Sequence, residues 1–211
     1  MPLGRSFASG AGARILLAVG LWCSAGAGVT AAAEGPREVV KATTDAVVQV
    51  LADASLSADD KRHRIEDIVY ARVDFDTLIR LVLARGWSQL NEAQRREFAQ
   101  EFKRHLSVTY GRNVESYRNE RVAIVADREE ARDDWTVKTK VVRSGGGADI
   151  QVDYRLRAKD GTWRIIDIII EGVSLVSNYR SQFQEVMAQG GPEQILQLLR
   201  EKNAKGEPLK S

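Results

Sequence analysis

The spacing of apolar residues changes from a helical to a strand period near residue 119, and it returns to a helical period after residue 172. Before the first change, apolar side chains recur every three or four residues, as on amphipathic helices; between the changes they alternate with polar ones, as on strands. Helices and strands are therefore segregated along the chain, which predicts the α+β class rather than a doubly wound parallel sheet. We expect a four-stranded antiparallel, twisted sheet covered by helices from both ends of the chain.

Capping signals mark the first three helices. Pro36 begins an amphipathic stretch over residues 36–54, and Ser57-x-x-Asp60 has the spacing of a capping box. Asp74 precedes a short segment that is apolar almost all round, so we expect that helix to be buried.

The longest predicted helix begins at Asn91, with Gln94 three residues later as its capping partner. Its apolar positions form one stripe that is mostly aromatic, made of Phe98, Phe102, Leu106, Tyr110, Val114 and Tyr117.

Four strands follow. Val122 and Ile124 mark the first, and the alternation over residues 135–141 marks the second. The clearest alternation places Ile150, Val152, Tyr154 and Leu156 on one face and polar residues between them. Glycine-rich segments at 144–147 and 159–161 predict the hairpin turns on either side of that strand. The fourth strand, over 163–171, is apolar on both faces except at Arg164 and Asp167, which predicts cover on both sides.

The C-terminal part predicts two more helices. Ser174 is a helix N-cap, Gly190 closes the helix that follows, and Pro192 begins the last one. We expect a disordered tail over 203–211, because Lys, Glu, Gly and Pro dominate it.

The first 33 residues have the pattern of an export signal. Arg5 and Arg14 precede an apolar run over 15–23, and Ala31-Ala32-Ala33 supplies small residues for cleavage. We interpret 1–33 as a cleaved signal peptide and 34–202 as a single domain, and we expect the chain to reside in the bacterial envelope. Retention as an anchor is less favoured, because the second half of the run is Gly, Ala, Ser and Thr.

Removal of this segment leaves a chain without cysteine, because the single cysteine is Cys23. Its charges also balance, since the surplus of 31 basic over 29 acidic residues lies at Arg5 and Arg14. Disulfides and thiolate chemistry are therefore excluded from the mature chain, and a neutral chain has little electrostatic attraction for nucleic acid.

No reaction centre is evident, and we expect neither a metal, a cofactor nor a catalytic residue. His63 and His105 lie in stretches rich in basic residues, and we interpret both as solvated surface residues. One enzymatic alternative remains, in which Asp167 and either Tyr110 or Tyr154 transfer a proton in an apolar pocket. We favour a structural Asp167 paired with a nearby Arg or Lys.

Several strings in order resemble the MlaC or toluene-tolerance (Ttg2-type) family. They are Val73-Asp74-Phe75, Leu83-Ala84-Arg85-Gly86-Trp87, Glu92-Ala93-Gln94-Arg95-Arg96-Glu97-Phe98, Thr109-Tyr110, Trp163-Arg164-Ile165-Ile166-Asp167, Glu171-Gly172-Val173-Ser174-Leu175-Val176 and Tyr179-Arg180-Ser181-Gln182-Phe183. The resemblance runs from about Pro36 to Leu199. Ala84 departs from it, because the family usually has glycine there.

The resemblance implies a periplasmic phospholipid carrier that binds its cargo without converting it. It also implies partners: an outer-membrane lipoprotein-porin complex, and an inner-membrane complex of an MCE-domain protein with an ABC transporter. One alternative is a carrier of another apolar lipid, such as a hopanoid. A second alternative is a packed apolar core that contains no cavity and carries no lipid.

The carrier interpretation implies a cavity for acyl chains between helices and sheet. We expect it to be lined by apolar residues of the helix stripes and strands. These are Val47, Leu51, Phe75, Leu78, Val82, Phe98, Phe102, Leu106, Tyr110, Val137, Val152, Tyr154, Ile166, Ile168, Val173, Val176, Tyr179 and Phe183.

Overall fold

The computed structural model describes residues 34–111, 117–144 and 147–209. The expected signal peptide over 1–33 lies outside the described residues, as do Val114 of the aromatic stripe and the centre of the 144–147 turn.

The predicted N-terminal helices are present with their caps. They are α1 (Pro36–Ala52), α2 (Ala58–Arg72), α3 (Phe75–Leu83) and α4 (Glu92–Tyr110). The side chains of Ser57 and Asp74 accept the N–H groups of Asp60 and Thr77, and Asn91 and Gln94 form a complete capping box. Each cap satisfies a backbone donor that the first turn of a helix leaves unpaired.

A 3-10 helix over Ala84–Gln89 joins α3 to α4. Ala84 begins it with φ 48° and ψ −118°, a backbone conformation that glycine adopts more easily than alanine. The position where the chain lacks the expected glycine is thus a strained position.

The sheet has five antiparallel strands in the order in which they occur in the chain. They are β1 (Arg121–Glu129), β2 (Asp134–Val142), β3 (Ile150–Lys159), β4 (Thr162–Ile170) and β5 (Val173–Ser174). The prediction of four strands omitted β5, because two residues are too few to show a period. Register shifts interrupt β1–β2 pairing near Val125 and β3–β4 pairing near Ile166.

The last helical segment, α5 (Leu175–Lys205), is broken at Gly191, which has φ 68° and ψ −162°. Pro192 follows, so the break separates the two C-terminal helices that the sequence predicts. The helix extends beyond Asn203, and Asn203 and Leu209 are buried. The described part of the tail is therefore ordered, which differs from the disorder expected from its composition.

The packed core lies between α3, α4, α5 and the sheet. Its centre is an aromatic cluster in which Phe102 contacts Phe98, Tyr179 and Phe183 at centroid distances of 5.0–5.6 Å. All four rings are buried. The aromatic stripe of α4 therefore meets a matching stripe of α5 and fills the space between them with side chains.

Within the described residues, no helix combines the length and the apolar character needed to cross a membrane.

Candidate functional site

A cavity of about 710 Å³ lies between α1, α2 and the sheet, away from the aromatic cluster. Its wall is mostly apolar. The lining residues are Thr43, Thr44, Val47, Val48, Leu51, Ile65, Val69, Val73, Tyr117, Glu120, Val122, Val141, Arg143, Ile150, Tyr154, Ile165 and Ile168. The volume lies within the range of pockets that hold organic ligands.

The helical wall follows from residues that recur every three to four positions. On α1, Thr44, Val47 and Leu51 lie on one face, and on α2 Ile65 and Val69 are one turn apart. None of the residues of α2 is fully buried, in contrast to those of α3. The half-buried state of Ile65 and Val69 is consistent with side chains that face open space instead of packed neighbours.

The sheet wall follows from strand pairing. Val141 lies directly opposite both Val122 and Ile150, and Tyr154 lies opposite Ile168. Directly paired residues share a face, so each of these two groups presents its side chains on the cavity side of the sheet.

The two threonines in the wall leave no unpaired polar atom. The Thr43 hydroxyl donates to the Val39 carbonyl at 2.6 Å, and the Thr44 hydroxyl donates to the Val40 carbonyl at 2.9 Å. Their polar groups are therefore satisfied within α1, and the wall around them remains suited to hydrocarbon.

Tyr154 contributes a polar side chain to the sheet wall. Burial raises the pKa of Tyr154 to about 12, so its hydroxyl remains protonated at neutral pH. No hydrogen bond joins this hydroxyl to the described residues. Within the described residues, it therefore offers a hydroxyl donor that is not already paired, unlike the hydroxyls of Thr43 and Thr44.

Charged residues occur at one end of the cavity. Glu120 and Arg143 both belong to its lining, and the Tyr117 hydroxyl donates to the Glu120 carbonyl at 3.4 Å. Arg143 is exposed, so this end faces solvent. The cavity is thus amphiphilic, with an apolar body and a charged rim.

Four of the residues that we expected to line the cavity do so, namely Val47, Leu51, Tyr154 and Ile168. Most of the others lie in the packed core. These are Phe75, Leu78, Val82, Phe98, Phe102, Val137, Ile166, Val176, Tyr179 and Phe183, with Leu106 packed against them and Tyr110 hydrogen-bonded to Tyr179.

The remaining two expected residues differ in another way. Val152 is half-buried on the sheet face of Tyr154 but is not among the lining residues, and Val173 is 57% exposed. Val173 lies on β5, at the edge of the sheet.

The residues that we expected to line the cavity included none from α2 and none from the β1–β2 end of the sheet. The signal for α2 was present in the spacing of Ile65 and Val69, but this helix is mostly charged and has a weak apolar stripe. Val122 and Val141 were recognised as strand residues, and only their pairing shows that they face the cavity.

Asp167 is buried on β4 and holds the start of α5. Its Oδ2 accepts the Ser174 hydroxyl at 2.5 Å, and its Oδ1 accepts the Val176 N–H at 3.0 Å. The expected partner, an Arg or Lys, is therefore wrong: Arg155, opposite Asp167 on β3, makes no ion pair with it. A helix N-terminus supplies the donors in place of a cation.

His105 is also placed differently from the expectation. It is fully buried in the core, and its Nδ1 donates to the Asn203 Oδ1 at 3.3 Å. Burial lowers its pKa, which favours the neutral ring. His63 is exposed, as expected. The residues just before His105 in the sequence are basic, and they suggested an exposed position. His105 itself lies on the buried side of α4.

The part of the chain that the structure describes contains no cluster of three or more side chains suited to hold a metal ion.

Comparison with known proteins gives one consistent result. The family model described as "MlaC protein" matches residues 41–201. The toluene tolerance protein ttg2D of Pseudomonas putida is 25% identical over 171 residues, which cover 77% of this chain and 78% of that protein. The solved structure of a phospholipid-binding protein from Ralstonia solanacearum, in complex with a phospholipid, matches with a TM-score of 0.73 and 28% identity. That match covers 81% of this chain and 97% of the other.

Proposed function

Since the chain belongs to the MlaC family, we propose that it is a carrier that binds a phospholipid by its acyl chains in the cavity between α1, α2 and the sheet. The observation that carries this proposal is the apolar wall around a volume of about 710 Å³. The phospholipid held by the Ralstonia solanacearum protein supports the choice of ligand.

The energetics of acyl chains suit a shuttle. Moving about 30 methylenes out of water is favourable by roughly 24 kcal/mol, at about 0.8 kcal/mol for each. This exceeds the strongest known non-covalent affinities, of about 18 to 21 kcal/mol, so a bound lipid is not released into water. Transfer from a bilayer is nearly neutral instead, because both environments are apolar. Exchange with a bilayer therefore needs no large driving force, and the partners have to set the direction of transfer.

The proposed setting is the periplasm, reached by means of the signal peptide over residues 1–33. There the carrier exchanges lipid between an outer-membrane lipoprotein-porin complex and an inner-membrane complex of an MCE-domain protein with an ABC transporter. This role maintains the lipid asymmetry of the outer membrane.

The proposal assigns no reaction to the chain. Both carboxylate oxygens of Asp167 accept hydrogen bonds that hold the start of α5, and neither partner is a tyrosine. A proton-transfer role for Asp167 therefore has no support from its contacts.

The direct test is native mass spectrometry of the protein purified from the envelope, followed by extraction and identification of any bound lipid. We expect a mass increment of one phospholipid that disappears after delipidation and returns after incubation with phospholipid vesicles. Folded protein that remains empty through all three steps would refute the carrier role. Recovery of a different apolar lipid, such as a hopanoid, would retain the carrier and change its cargo.

A further inference from the structure

Glu120 and Arg143 stand across from each other at the end of the β1–β2 ladder. The last pair of that ladder is Arg121 with Val142, so the antiparallel register continues to Glu120 and Arg143. Two residues further into the sheet, the pair Val122 and Val141 lines the cavity. Alternation along the strands then places Glu120 and Arg143 on the same face, and both belong to the cavity lining.

These two opposite charges do not neutralise each other. No ion pair joins them, and among the described residues Arg143 makes neither an ion pair nor a hydrogen bond. The Glu120 carboxylate accepts the backbone N–H of Arg118 at 2.6 Å, and within the described residues it forms no ion pair. In the part of the chain that the structure describes, the mouth of the apolar space thus carries an arginine and a glutamate that are not paired with each other.

The depth of the cavity suits a lipid whose headgroup lies at this charged rim. Arg143 lies six positions along the chain from Val137, which pairs with Tyr154. At about 3.4 Å per residue this is about 20 Å. One layer of acyl chains in a bilayer occupies about 15 Å, half of the hydrocarbon thickness of about 30 Å. The distance of about 20 Å therefore accommodates acyl chains of this length below a phosphate held at Arg143.

We propose that Arg143 and Glu120 form a headgroup site for zwitterionic phospholipids, in which Arg143 binds the phosphate and Glu120 binds the ammonium of an ethanolamine headgroup. This proposal rests on the proposed carrier function and names its preferred substrate class. A guanidinium donates to a phosphate through two N–H groups, and a carboxylate accepts from an ammonium, so each partner meets its complement.

The Glu120 carboxylate discriminates between phospholipid headgroups. A phospholipid with a glycerol headgroup also offers a phosphate to Arg143, but it leaves the Glu120 carboxylate without a cation and adds a like charge beside it. The difference in binding free energy between the two lipids therefore has two parts: an attraction for the ethanolamine ammonium and a repulsion of the added negative charge. Binding sites commonly use both to reject a close analogue.

The test offers delipidated protein a choice between two lipids. The chain from Glu34 onward is incubated with vesicles of equal parts phosphatidylethanolamine and phosphatidylglycerol with identical acyl chains. Native mass spectrometry then gives the total occupancy and the ratio of the two bound lipids. The variants are Arg143→Gln, Arg143→Lys and Glu120→Gln. Arg121→Gln is the matched control, because Arg121 is exposed and lies outside the cavity lining.

We expect the wild type and Arg121→Gln to favour phosphatidylethanolamine. Arg143→Gln lowers the occupancy by both lipids about tenfold, the loss of one charged hydrogen bond, and Arg143→Lys retains most of it. Glu120→Gln leaves total occupancy high and shifts the ratio toward phosphatidylglycerol by about tenfold. Retained occupancy in Arg143→Lys shows that loss in Arg143→Gln does not come from misfolding.

Two contrary results are distinguishable. A wild type that binds both lipids equally, with no change in any variant, overturns the headgroup site and leaves the carrier function standing. A wild type that takes up no lipid from these vesicles overturns the carrier function and the headgroup site together.

Discussion

The His105 Nδ1 lies 3.3 Å from the Asn203 Oδ1, and this hydrogen bond joins α4 to the last turns of α5 inside the core. Asn203 also donates to the Glu101 carbonyl at 2.9 Å and to its carboxylate at 2.7 Å. The amide of Asn203 is thereby oriented with its oxygen toward the imidazole, so Nδ1 carries the hydrogen. The Thr109 hydroxyl, 3.4 Å from Nε2, completes the contacts of the neutral ring.

This arrangement predicts that stability falls in mild acid. Burial holds the pKa of His105 below its usual value of 6.5 in the folded state, so below about pH 6.5 the unfolded state binds more protons. The contribution of His105 is therefore complete above that pH and decreases as the pH falls through it. Denaturant titration at pH 7.5 and 5.5 measures the change.

The matched variants are His105→Gln and His63→Gln. His105→Gln should lose part of this pH dependence, whereas His63→Gln should keep it, because His63 is exposed. An equal pH dependence in the wild type and His105→Gln would contradict the assignment to His105.

Ala84→Gly is expected to stabilise the protein. Ala84 has φ 48° and ψ −118°, and strain of this kind typically costs about 1 to 3 kcal/mol for a residue other than glycine. Because glycine also raises the entropy of the unfolded chain, we expect a net gain of about 1 kcal/mol in the free energy of unfolding. Ala42→Gly in α1 is the control with the opposite sign, since glycine inside a helix costs up to about 1 kcal/mol. A loss of stability in Ala84→Gly would show that this conformation carries no strain.

Asp167→Ala is expected to destabilise the fold without emptying the cavity. It removes the acceptor of the buried Val176 N–H, and an unsatisfied buried donor costs about 1 to 3 kcal/mol. Asp167→Asn keeps an oxygen for that N–H and should lose less. Thermal melting and lipid occupancy are measured on the same samples. Loss of lipid at unchanged stability would assign Asp167 to the binding site instead.

Tryptophan at two valine positions separates cavity from packed core. Val47 lines the cavity, whereas Val137 is fully buried among core residues. We expect Val47→Trp to keep its melting temperature and lose bound phospholipid, because the indole occupies space meant for acyl chains. Val137→Trp overpacks the core and should cost about 1 to 3 kcal/mol or more. A destabilised Val47→Trp with full lipid occupancy would refute the cavity as the lipid site.

Export predicts a mature N-terminus at Glu34, immediately after Ala31-Ala32-Ala33. The intact mass of the protein from an envelope preparation measures this directly. A mass that includes residues 1–33, found in the membrane fraction, would indicate a tethered protein rather than a free carrier.

The local sequence determined the helices, the strands and their caps. Ser57, Asp74, Asn91 and Ser174 all cap helices as their spacing predicts, because a cap requires only neighbours two or three residues away. The alternation around Tyr154 identified β3 for the same reason. The two-residue β5 and the ordered end of α5 were not predicted, since both depend on distant partners.

The tertiary structure decided which buried face meets protein and which meets the cavity. Phe98 and Val47 both lie on apolar stripes, but Phe98 packs against α5 whereas Val47 faces open space. Periodicity reports only that a face is shielded from water, whatever covers it. For the same reason, periodicity did not predict that His105 is buried or that Glu120 and Arg143 lie at the same end of the cavity. Each depends on contacts between residues far apart in the chain, which a periodic pattern does not encode.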